Sequence, residues 1–184
     1  MASKTPSGSR RFEWMTAAAV SAAAAVMSSG PVRAADPCDA FTWNIAHERA
    51  VFATPPVSVT AATTAGLAPT LELDKLYDIT LTLQDKVNFM LQPAKKALAD
   101  GAFAGMVTLH IPRAGKYRVS MSEGFWLDVI AEGKFAPTDD FTGAHDCRAP
   151  RKIVQYPLPA GNLVLQFSNT NTATVRVTVT AVPQ

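Results

Sequence analysis

FAGMVTLHIPRAGKYRVSMSEGFWLDVIA, residues 103–131, reads as three consecutive strands with their turns written in. Residues 106–111 come first, followed by the turn Pro112-Arg113-Ala114-Gly115 and a strand over 116–121. Ser122-Glu123-Gly124 makes the next turn, and 125–131 is the third strand. In the middle strand Tyr117, Val119 and Met121 alternate with Lys116, Arg118 and Ser120, a period of two that gathers the apolar set on one face. Gly115 and Gly124 stand where a hairpin needs a residue tolerant of positive φ.

Outward from this meander the same pattern recurs. Residues 77–83, YDITLTL, alternate strictly, and 87–91 make a further short strand. Residues 56–69 are small, Thr/Ala-rich and extended, an edge strand or a long connection, and 93–101 form a polar linker with a helical turn over 94–99. On the C-terminal side, strands are expected over 152–156, 163–168 and 173–181, with Asn169-Thr170-Asn171-Thr172 turning between the last two. AGKYRVSMS at 114–122 is echoed by AGNLVLQFS at 160–168, so two strands are entered by similar turns. The main helical signal of 35–184 is DAFTWNIAHERAVF, 39–52, with Asp39 as cap and Phe41, Ile45 and Phe52 near one stripe. Thr54-Pro55-Pro56 ends it. About eight strands, one short N-terminal helix and no βα alternation predict a mainly β fold, a single antiparallel β-sandwich, with a jelly-roll-like arrangement as the alternative.

Residues 1–34 stand apart. Lys4, Arg10 and Arg11 precede an alanine-rich apolar run over 15–27, and Val32-Arg33-Ala34 places apolar or small residues at the −3 and −1 positions of a cleavage site after Ala34. That is the pattern of a cleavable signal peptide, leaving 35–184 as the β-sandwich domain. The net charge of +2 comes from 17 basic and 15 acidic side chains. Residues 1–34 hold four of the former and one of the latter, so 35–184 carry a formal charge of −1. This balance excludes nucleic acid as a partner, and a cleaved leader leaves no stable membrane insertion. The expected compartment is the periplasm or the exterior. Two cysteines in an exported chain most simply form one disulfide, Cys38 with Cys147.

Cys38, Phe41-Thr42-Trp43, His47-Glu48-Arg49-Ala50, the 114–120 strand entry, Phe125-Trp126-Leu127-Asp128-Val129, His145-Asp146-Cys147 and Leu158-Pro159-Ala160-Gly161, in that order, resemble a group of small exported proteobacterial proteins. The likeness covers nearly all of 35–184. Some members of the group carry the name homogentisate 1,2-dioxygenase, which implies a mononuclear iron held by two histidines and a glutamate. The Ala-Gly-x-Tyr-x-Val strand entry also resembles the sandwich domains that accompany secreted peptidases.

The chemistry-bearing residues are few. His47, His110 and His145 are the histidines, and no His-x-His or His-x-x-x-His pair occurs. They are the ligands a metal-dependent oxygenase would have to use; solvated or hydrogen-bonded histidines are the other reading, and no cofactor is called for. Ser120 and Ser122 lack a nucleophile elbow. Asp139, Asp140 and Asp146 are turn formers or loop ligands for calcium. Trp126 and Asp128 share one face of the third strand, opposite Phe125, Leu127 and Val129. If the latter are core, Trp126 is an outward platform for a sugar or peptide, unless a helix or loop covers it and it packs against Trp43. Arg148, Arg151 and Lys152 make a basic patch beside Cys147 that grips an anion or faces solvent. These residues point to a non-enzymatic binding or accessory module, its partner an envelope protein, a glycan or a small ligand. An envelope structural or adhesion role is the remaining class.

Overall fold

Period-two alternation dictates strands that bury one face, and the computed structural model, which describes residues 36–95 and 98–183, is built almost wholly of them. The leader expected over residues 1–34 lies outside the described residues. In chain order the strands are β1 (Val57–Thr60), β2 (Thr70–Leu71), β3 (Tyr77–Thr80), β4 (Thr82–Leu83), β5 (Phe103–Ile111) and β6 (Gly115–Met121). They continue as β7 (Trp126–Ala131), β8 (Lys134–Phe135), β9 (Asp140–Gly143), β10 (Lys152–Leu158), β11 (Gly161–Thr170) and β12 (Thr174–Ala181). One sheet has the order β1-β3-β12-β6-β10-β9; the other runs β2-β5-β11-β7-β8, with β4 also paired to β5. The inward residues of both sheets form one core: Tyr117, Val119 and Met121 of β6 meet Leu163, Leu165 and Phe167 of β11, with Phe125 edge-on to Phe167 at 5.6 Å. The fold is a β-sandwich.

The sheets are mixed, where an entirely antiparallel sandwich was expected. β1 pairs with β3 in parallel, and so does β2 with β5. Parallel neighbours need a crossover, and the chain between β1 and β3 supplies one by crossing to the other sheet, where Ala62 bridges Met106. The alternating run 77–83 is divided for a related reason. β3 lies in the first sheet and β4 in the second; at the switch the Leu81 N–H donates to the Ala173 carbonyl while its side chain stays buried. Residues 87–91 form no strand. They follow a 3-10 turn, Gln84–Lys86, and spend their hydrogen bonds elsewhere: the Asn88 N–H donates to Thr63 O, and Leu91 O accepts from Gln166 Nε2. No helical turn forms at residues 94, 95, 98 or 99. Loop 134–151 is less irregular than expected, since β8 and β9 lengthen one edge of each sheet as the chain passes between them.

The helix is also shorter than its pattern. A 3-10 turn, Pro37–Ala40, is capped by Asp36, and α1 spans only Ala46–Phe52. Asn44 Oδ1 takes the Ala46 N–H, which starts the helix there and leaves 41–45 as a bent, non-helical lead-in. This segment lies on the outer face of the first sheet. Cys38 is bonded to Cys147, the Thr42 hydroxyl donates to Thr142 Oγ1 at 3.0 Å, and Glu48, only 3% exposed, pairs with Arg118 at 2.9 Å.

Close approach of backbones makes one glycine obligatory. A Cβ on Gly105 of β5 would stand 2.5 Å from the Ala61 Cβ and 3.2 Å from Leu81 Cδ2. Gly105→Ala should therefore cost about 1–3 kcal/mol, as overpacking does in a dense interior. Chemical denaturation checks this, and adding Ala61→Gly should recover part of the loss.

Candidate functional site

β7 begins beside the edge where β10 and β9 face it across the sandwich, and a cleft of about 320 Å³ opens between them. Trp126, Leu127, Thr138, Phe141, Lys152 and Tyr156 are among its lining residues. Alternation explains the set. Phe125, Leu127 and Val129 are core, so Trp126 and Asp128 lie on the opposite face of β7. On β10, Lys152 shares the parity of Val154 and Tyr156, so a charged residue occupies a core-facing register where the sandwich opens. Phe141 is paired with Val154 and follows that parity on β9.

Two large aromatics reach solvent here: Trp126 is 37% exposed and Phe141 66%. Each carries an ammonium over its ring, Lys95 Nζ at 5.6 Å from the Trp126 centroid and Lys152 Nζ at 5.7 Å from that of Phe141. The Trp126 indole N–H donates to Asp128 Oδ1 at 2.8 Å, and Asp128 Oδ2 accepts the Ala94 N–H at 3.2 Å. The linker near Ala94 thus covers Asp128 but leaves the Trp126 ring partly open. Trp43 is not its packing partner; it lies on the first sheet with the Arg118 guanidinium 4.6 Å from its ring.

Burial shifts the titration of three groups around the cleft. It pushes the Tyr156 phenol up to about 12, with the Thr138 hydrogen bond opposing and Asp128 adding to the rise. It lowers Lys152, and the charge of Lys95 lowers it further. It raises Asp128, against the hydrogen bonds from Trp126, Ala94 and Gln166. The raised Asp128 has a definite sign for stability. The folded chain holds that proton more firmly than the unfolded one, so this group disfavours the fold above its folded pKa. That cost is relieved as pH falls toward its unfolded value. Wild type should therefore gain stability relative to Asp128→Asn as pH is lowered through the window just above 3.8. Paired urea titrations across that range measure it, and a difference that is flat with pH would contradict it.

The structure unites some of the residues expected to act together and separates others. Trp126 and Lys152 share the cleft, with Asp128 behind the indole. Arg151 belongs with Lys152 to a neighbouring cleft of about 340 Å³, which Phe141 and His145 also line. Arg148 lines neither cleft but shares Glu123 with Arg151, at 2.8 and 3.7 Å. Phe141, Lys95 and Tyr156 were not singled out from sequence; the parity of Lys152 with Val154 and Tyr156 is the signal that could have pointed to the inner side of this edge.

The histidines have separate surroundings. His47, on α1, pairs with Asp74 at 2.7 Å. His110, on β5, bonds Asn162 at 2.8 Å, and His145 lies in the loop after β9, 3.4 Å from Arg151. Among the described residues no three of His, Cys, Asp or Glu are grouped so as to hold a metal ion. That donor set does not fit the iron that a dioxygenase would need. Nor is any helix among the described residues long and apolar enough to cross a membrane. No family model matches this sequence, and no match emerges among curated proteins.

Proposed function

We propose that this chain is an exported, non-enzymatic binding module of the bacterial periplasm, and that it binds through the cleft between β7 and the β9–β10 edge. The observation that carries the reading is the pair of solvent-reaching aromatics, Trp126 and Phe141, flanking an opening between the two sheets. Flat apolar rings with a polar tip or a cation beside them are the usual furniture of a ligand platform. Export is supported by the leader pattern of 1–34 and by the disulfide, which persists in oxidising compartments. The partner is an envelope glycan, an envelope protein or a small ligand.

Trp126 can report on binding directly. In a Trp43→Phe variant of the exported protein it is the remaining indole, since Trp14 leaves with the leader. Its emission should shift saturably when a soluble envelope polysaccharide fraction from the producing cell is added, and Phe141→Ala should abolish the shift. An unresponsive Trp126 would contradict the assignment of the cleft. One tightly held iron per chain, or turnover of the added material, would contradict a non-enzymatic role.

A further inference from the structure

Resting on the reading of the cleft as the binding surface, we propose that its ligand is a linear acidic glycan, a chain of sugar rings bearing carboxylates. The charge arrangement carries this. Lys75, Lys116, Arg49, Arg148 and Arg176 each have a carboxylate within 2.8 Å. Lys95 and Lys152, at the cleft, have none within salt-bridge reach among the described residues, and each hangs over an aromatic ring. Lys152 is half-buried there and repelled by Lys95. Each ammonium sits over a solvent-reaching ring with no carboxylate of the described residues against it, which fits an anion supplied from outside.

The acids nearby are already engaged. Asp128 accepts from the indole, Asp139 accepts from Lys116 and Gln155, and Asp140 from the Phe141 N–H. Asp146 stands 3.7 Å from His145, and Glu123 pairs with Arg148 and Arg151. The second cleft shares Phe141 and Lys152 with the first, so the surface continues past the Phe141 ring to Arg151, whose charge Glu123 meets at 3.7 Å. A track with two ring platforms and spaced cations suits successive units of a chain better than one small anion. Single-stranded nucleic acid shares this chemistry, but residues 35–184 carry a net charge of −1 and present no broad basic field to a phosphate backbone.

Calorimetric titration of the exported protein with tetragalacturonate, with its carboxyl-reduced neutral counterpart and with a short oligo-dT tests the inference. The acidic tetramer should bind at least about tenfold more tightly than the neutral one, and added salt should narrow the gap. Lys95→Met/Lys152→Met should weaken the acidic tetramer by about tenfold or more, bringing it to the affinity of the neutral one, whereas Lys86→Met should leave both tetramers bound as by wild type. Equal binding of the two tetramers would overturn the charge assignment while leaving the cleft as the binding surface. Failure of both tetramers to bind, tighter binding of oligo-dT, or double-variant affinity equal to wild type would overturn it too. The Trp126 emission experiment judges the cleft itself separately.

Discussion

Arg118→Met should destabilise the protein by about 3–5 kcal/mol, the loss typical of breaking a buried ion pair from one side. The guanidinium donates to Glu48 Oε1 at 2.9 Å, to the Asn44 carbonyl at 3.1 Å and to Gln155 at 3.3 Å, and it lies over Trp43. Without it, the Glu48 carboxylate keeps, among the described residues, only the Thr180 hydroxyl at 3.4 Å in a buried site. An uncompensated buried charge is what makes the loss large. Replacing both partners, Arg118→Met with Glu48→Leu, should return much of the stability, because two apolar groups leave nothing unpaired. Equilibrium denaturation of the four proteins in that cycle measures the coupling. Additive losses would show that the pair does not hold α1 to the sheet.

Cys38→Ser should cost about 2–5 kcal/mol, since the bond closes a separation of 109 residues and restricts the unfolded chain accordingly. The core should survive the change. None of the residues that join the two sheets is in the 36–52 segment, and the cluster from Ala61 to Val179 is complete without it. The expected result is a lower denaturation midpoint with far-ultraviolet dichroism of the folded state retained. Hydrogen exchange should rise at α1 and around Thr142 while β6, β11 and β12 stay protected. Loss of strand signal at equilibrium without denaturant would contradict this division.

The strands that alternate strongly were legible: 103–131 became β5, β6 and β7, and 152–181 became β10, β11 and β12. So was the bond between Cys38 and Cys147. What alternation does not encode is the identity of a strand's partner. Tyr77, Ile79 and Leu81 lie inward whether the strand continues or changes sheets at Leu81, and Leu83 is exposed only after the switch, so the switch and the parallel edges were invisible. The helix pattern failed locally. Phe41, Ile45 and Phe52 have helical spacing, but the short bond from Asn44 to the Ala46 N–H and the contacts of Thr42 with Thr142 outweigh the propensity of a seven-residue stretch. At the cleft, Trp126 declared itself through its place opposite a core face. Lys152 carried a signal in its parity with Val154 and Tyr156. Phe141 stands in a four-residue strand inside a polar loop, and Lys95 in a linker, where no periodicity distinguishes a binding residue from a solvated one.

The site of binding is tested most directly by nuclear magnetic resonance of the labelled exported protein titrated with tetragalacturonate. Changes should centre on the Trp126 indole N–H and on the backbone amides of Phe141, Lys152 and Val154. Changes confined instead to the groove at the other end of β10, lined by Arg113, Tyr117, Pro159 and Val182, would contradict the account.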